Sequence, residues 1–175
     1  MLIETLPDIE THLAGLSALL TDCVDSGASV GFISPLEEHE ADDYWRSLQP
    51  SLTERSRCLL IAREQGQIAG AIQLALCQKK NGLHRAEVEK LMVHTAFRRQ
   101  GIARQLLTAL ETLAAEHQRT LLVLDTRTGD NASLLYRSEE YQQVGTIPEY
   151  VTNAAGEMES TTYFYKSLNR IGEDL

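Results

Sequence analysis

Apolar positions along this chain follow two rhythms. Ile9, Leu13, Leu16, Leu19, Leu20 and Val24 recur at helical spacing, which predicts a helix that opens at Pro7-Asp8 and ends before Gly27. A short strand is predicted over residues 2–6. Pro35 predicts the first turn of a second helix reaching about Leu48 or Leu52, with Tyr44, Trp45 and Leu48 as its buried stripe. Between the helices lies a small, oddly apolar loop, residues 27–32 (GASVGF). Residues 57–62 and 68–77 are apolar runs separated by Glu64-Gln65-Gly66-Gln67, so they predict a hairpin. Residues 78–84 (QKKNGLH) form a polar loop with an Asn-Gly turn signal.

The stretch RAEVEKLMVHTAFRRQGIARQLL, residues 85–107, predicts a strand, a short turn and the start of a helix. That helix should run to about His117, with Ile102, Leu106, Leu107, Leu110 and Leu113 on one face. The continuous run LLVLD, residues 121–125, fits a strand covered on both sides. Strand, helix, strand is a right-handed crossover joining two parallel strands. A short helix over 131–137 and strands over 141–145 and 161–167 follow, with a turn at 153–157. The whole predicts one α/β (α+β) domain over 1–175, a mixed sheet with helices on its faces.

Composition narrows the partners. The formal net charge is −9, which argues against a nucleic-acid backbone. Cys23, Cys58 and Cys77 are too far apart for a metal motif and read as buried free thiols suited to a reducing cytoplasm. The acidic N-terminal segment does not resemble a secretory signal, and no apolar run approaches the roughly 18 residues that span a bilayer. A cytoplasmic protein without membrane or metal partners is expected. The aromatic end strand Tyr163-Phe164-Tyr165 suits either the core or a homodimer interface.

Candidate chemistry gathers around residues 85–107. A helix start leaves backbone N–H groups without intrahelical partners, and the helix dipole favours an anion there. Gly101 and Ala103 would let a phosphate approach the backbone, and Arg98, Arg99 and Arg104 add positive charge. In a regular pleat Glu87, Glu89, Leu91 and Val93 share one face, and Ala86, Val88, Lys90 and Met92 the other. A carboxylate on such a strand needs a partner or a purpose. For Glu89 an ion pair with Lys90, Arg85 or a neighbouring strand is expected. Asp125 ends its strand where ligands of parallel sheets gather, although a turn or cap role fits equally. Tyr136 is either a core residue with one satisfied hydroxyl or a proton donor to a departing thiolate.

Several of these residues carry a family resemblance. Arg98-Arg99-Gln100-Gly101-Ile102-Ala103 is similar to the [Q/R]-x-x-G-x-[G/A] signature of the GNAT (Gcn5-related) N-acetyltransferases, and the strand EVEKLMV and the later LYRSEEY fall where that family has them. The segments GASVGF, LCQKKNGLHRAEVEKLMV, RQLL and LDT also resemble toxin-resistance members of the family. The resemblance implies a mostly antiparallel sheet of six or seven strands and acetyl-CoA as co-substrate. It implies that Arg98, Arg99, Gln100, Gly101, Ile102, Ala103 and Arg104 form the pyrophosphate turn. Leu91, Met92 and Val93 would offer splayed backbone to the pantetheine arm, with the Met92 amide as oxyanion donor. It further implies Glu87 or Asp125 as base or amine anchor and Tyr136 as acid, acting on a small-molecule amine by direct transfer without a metal. A protein or peptide acceptor, or a non-catalytic acyl-CoA sensor, are the alternatives. The chain departs from the family in having Gly129 where many relatives carry Asn, and Glu140-Tyr141 where many carry Gly-Phe.

Overall fold

The alternation of apolar residues in the strands decides how this sheet is covered. The computed structural model describes residues 1–169. Its strands are β1 (Leu2–Thr5), β2 (Arg57–Glu64), β3 (Gln67–Leu76), β4 (Arg85–Val93), β5 (Leu121–Arg127), β6 (Gln142–Thr152) and β7 (Met158–Ser167). Its helices are α1 (Leu13–Asp25), α2 (Glu38–Ser47), α3 (Gln49–Thr53), α4 (Ile102–Glu116) and α5 (Asn131–Ser138). The strands form one seven-stranded sheet in the order β1-β2-β3-β4-β5-β7-β6. Its one parallel pair is β4 with β5. The expected mixed, mostly antiparallel sheet is therefore present.

Leu60, Ala62, Ile72, Leu74, Ala86, Val88, Leu122, Leu124 and Phe164 face α4 and α5 in one core. Leu59, Ile61, Ala71 and Met92 face α1 and α2 in the other, around a fully buried Trp45. Phe164 is thus core, which resolves half of the choice posed by Tyr163-Phe164-Tyr165. Cys23 is buried, whereas Cys58 and Cys77 are only partly so.

Several boundaries differ from expectation. The first helix begins at Leu13, after a separate 3-10 turn at Glu10–His12. Pro35 lies outside α2, because the Glu37 and Glu40 side chains form a reciprocal capping box that sets the helix start three residues later. The second helix also divides, with Pro50 in the first turn of α3. Strand β6 is longer than predicted because Gly145 and Pro148 are accommodated at bulges in an edge strand.

Helix α4 lies close to the sheet at Gly70. A Cβ there would stand 2.8 Å from the Met92 carbonyl oxygen and 3.1 Å from Leu106 Cδ1. Backbone cannot yield as a side-chain tip can. Gly70→Ala should therefore lower stability by about 1–3 kcal/mol, read as a lower midpoint in urea unfolding with an unchanged slope.

Candidate active site

Strands β4 and β5 begin as neighbours and then part. Arg85, Ala86 and Glu87 pair with Leu121, Leu122 and Val123, and the ladder stops there. Beyond that point β4 stays on β3, and β5 stays on β7. The register of β4 against β3 also slips: Ala71 and Gln73 face Met92 and Glu89, so β4 carries one extra residue. Lys90 absorbs it with φ 55°, in the left-handed region.

This bulge corrects the expected faces. Leu91 and Val93 join Ala86 and Val88 against the α4 core, while Met92 packs on the α1 side. Glu87 and Glu89 therefore do not share a face with Leu91 and Val93. His94 donates its N–H to Ala69 O at 2.8 Å. Antiparallel alternation then directs the Met92 amide towards β3 and those of Leu91 and Val93 towards the gap. The Met92 amide, expected to face the gap, is therefore turned to β3. Val93 O already accepts from Arg98 Nε at 3.3 Å and from Cys23 Sγ at 3.4 Å.

At the far end of the gap, α4 starts without a side-chain cap. Its N-cap is Gly101 at φ 76°, a conformation that favours glycine. Arg98, Arg99, Gln100 and Gly101 are exposed around that uncapped end, Ala103 is half-buried, and Ile102 is buried in the core, so Ile102 can offer only its backbone N–H. Arg104 is held by Glu139 and by Ser138 Oγ at 3.2 Å, and Arg98 reaches Ser26 Oγ at 3.0 Å. The turn therefore offers an anion unpaired N–H groups and a positive setting.

At the other end, the parted strands open into a cleft of about 420 Å³ that brings together Glu87, Asp125 and Tyr136. Leu122 and Leu124 face the α4 core, so Asp125 projects to the opposite face, as Glu87 does. Tyr136 belongs to the α4-side core and reaches the cleft through the gap. Among the described residues Glu87 and Asp125 form no ion pair. Asp125 Oδ2 accepts the Thr161 hydroxyl at 2.8 Å. Burial raises the Glu87 carboxyl above its ordinary value, the Glu89 and Asp125 charges push the same way, and Arg57 opposes them. The Tyr136 side chain is buried and its hydroxyl has no hydrogen-bond partner among the described residues. Burial first, then Asp130 and Asp125, hold it well above the ordinary phenol range. At neutral pH it is protonated.

Glu89 is committed elsewhere, as expected, but its partner is Arg57 of β2, at 2.5 Å. Arg57 also donates to Gln73 at 2.9 Å, and the fully buried Gln73 donates to the Tyr44 hydroxyl at 2.8 Å. One feature of the cleft escaped sequence reasoning. Lys90 stands in it; its signal was a charge on each face of one strand. Tyr150 and Val151 line it too; they belong to β6, which runs on past its predicted end. Loop 78–84 precedes β4 and so lies at the paired end, away from the opening.

A sequence model described as the acetyltransferase (GNAT) family matches residues 20–137. The fold is similar to a ribosomal-protein-alanine N-acetyltransferase from Brucella melitensis, 22% identical over 96% of this chain and 100% of that one, with TM-score 0.77. It is similar to an N-acetyltransferase from Staphylococcus aureus Mu50, 17% identical over 97% and 100%, with TM-score 0.79. It is also similar to the Salmonella typhimurium protein yncA, solved with its cofactor acetyl-CoA: 15% identical over 100% and 99%, with TM-score 0.75. The structural likenesses carry the fold, and the family match covers more than half of the chain, running from α1 through the gap to Tyr136. The chain belongs to the GNAT family of acetyltransferases.

Proposed function

We propose that this acetyltransferase transfers acetyl from acetyl-CoA directly to the amine of a small molecule. The observation that carries the reading is the gap itself, which joins an anion-receptive turn to a cleft holding two unpaired carboxylates and a buried phenol. The turn from Arg98 to Arg104 would hold the pyrophosphate, through the backbone N–H groups at the start of α4 and the exposed Arg99. The gap-facing backbone of Leu91 and Val93 would bind the pantetheine arm. Acetyl-CoA supplies the acetyl group as a thioester, with the CoA thiolate as leaving group.

The remaining chemistry falls to the chain. An ammonium has no lone pair and must lose a proton before it attacks. Glu87 is the base, because desolvation moves its basicity towards neutral pH. Asp125, fixed by Thr161, anchors the ammonium. The Leu91 N–H is placed to stabilise the developing oxyanion. Tyr136 protonates the departing sulfur from the opposite face of the sheet. A cleft of about 420 Å³ suits a small acceptor. The resemblance of segments 27–32, 76–93, 104–107 and 124–126 to the bacterial tabtoxin resistance protein puts toxin or antibiotic amines on the acceptor panel.

Thiol release from acetyl-CoA over a panel of amines and peptides tests the reading. Turnover confined to peptides would overturn the small-molecule acceptor. Binding of acetyl-CoA with no release from any acceptor would support a sensor instead.

Two sets of variants test the roles. A carboxylate with a raised pKa is protonated, and lost as a base, at higher pH than usual. The acid limb of kcat/KM, which reports the free protein, should thus have its midpoint above 4.5, the ordinary glutamate value. Glu87→Gln should remove that limb and lower kcat by about 10²–10⁴-fold. Asp125→Asn should act mainly on the acceptor KM. If Asp125→Asn removes the limb and Glu87→Gln does not, the two roles are reversed.

Tyr136→Phe should lower kcat by roughly 10–100-fold with the KM for acetyl-CoA nearly constant. Unchanged turnover would rule out its role as acid.

A further inference from the structure

Lys90 is a charged side chain in the cleft that acetyl transfer leaves without a task. Its surroundings are unusual for an ammonium. Nζ donates to Val30 O at 2.6 Å and lies 5.7 Å from the Tyr44 ring centroid and 6.0 Å from that of Phe32. Gly31 leaves room for it, since a Cβ there would stand 3.0 Å from Nζ. Among the described residues no carboxylate lies within ion-pair distance of Nζ. Glu89 is taken by Arg57 at 2.5 Å. The other cation of the cleft, Arg127, is taken by Glu159 at 3.3 Å and Asp130 at 3.6 Å.

An ammonium has three donors, and this one uses a single carbonyl. Partial burial without an anionic partner disfavours its charge, and its pKa is lowered by that burial. The two ring faces offset only part of that cost. The same cleft holds Glu87 and Asp125 without cationic partners. All three side chains project on the α1 side of the sheet, two as anions and one as a cation. An amine alone would answer only the anions.

We propose that Lys90 binds a carboxylate of the acceptor, so that the acceptor is an amino-acid-like molecule whose ammonium meets Glu87 and Asp125. The inference rests on the acetyl-transfer reading for its ammonium half. The Val30 carbonyl and the two rings hold Nζ in place, and its two remaining donors point a charge-assisted pair of hydrogen bonds at the ligand. Lys90 is then a specificity-determining residue, and the loop before α2 is its support.

The experiment compares pairs of amines that differ only in a carboxylate, such as an amino acid and its decarboxylated counterpart. The wild-type protein should favour the carboxylate-bearing member by roughly tenfold or more in kcat/KM, mainly through KM. Lys90→Met should bring that ratio towards one, and Lys90→Arg should keep most of it. The ratio is the deciding readout, because loss of the Val30 contact alone would slow both members alike. Equal use of both members by the wild type, or a ratio that Lys90→Met leaves in place, would overturn the proposal. Calorimetry of the CoA-loaded protein with the same pairs reads the preference without turnover. Preferential binding there with no thiol release would sink the catalytic reading and retain the carboxylate site.

Discussion

The structure turns on a ladder that stops. After three rungs β4 and β5 separate, and each keeps its outer neighbour, β3 or β7. Backbone N–H and C=O groups must find partners somewhere. A strand edge opened in the middle of a sheet therefore calls for a ligand that can behave like a strand. The amides of a pantetheine arm can do so. The outer pairings keep both lips rigid, so the opening can be permanent without unravelling the sheet.

Because the gap passes through the sheet, it connects two faces that are otherwise sealed by separate cores. Glu87 and Asp125 stand on the α1 side, and Tyr136 reaches in from the α4 side. On the proposed reading, proton removal and proton delivery fall to opposite faces. The electrostatics follow the same division. Arg57 neutralises Glu89 within a chain of hydrogen bonds that includes Gln73 and Tyr44, so Glu89 is structural. Glu87 has no such partner, and its basicity rises through desolvation. Two carboxylates two residues apart on one side-chain face have diverged because one is paired with an arginine and the other is not.

Much of this was legible in the order of residues. The helical and strand rhythms located most of the elements, and the crossover before LLVLD announced the parallel pair that later parts. Glu87, Asp125 and Tyr136 were each singled out, and they meet in one cleft. What stayed hidden depends on single-residue register. A bulge inverts every later side chain in its strand, so Leu91, Met92 and Val93 were assigned to the wrong faces, and Met92 was given a gap-facing amide. The helix start at Glu38 depended on a capping box whose members are acidic residues among many others. Ile102 matched a binding signature by position, yet its side chain serves the core.

The bulge residue carries its own argument. Among the described residues seven non-glycine residues take positive φ, but only Lys90 and Glu149 do so inside strands, each at a register shift. Glycine or asparagine would adopt that backbone at less cost. A lysine there is explained by what its side chain does, and that side chain ties the loop before α2 to the point where β4 leaves β5. The second bulge lies in β6 beside Tyr150 and Val151, on another wall of the same cleft. Two strained strand positions thus flank one opening. Regular pleats would close it: Lys90 would turn away from Val30, and the strand edges would run straight past the carboxylates. On the proposed reading the strain is held where the acceptor would sit, which is the pattern expected when backbone geometry has been selected for a site and the packing around it absorbs the cost.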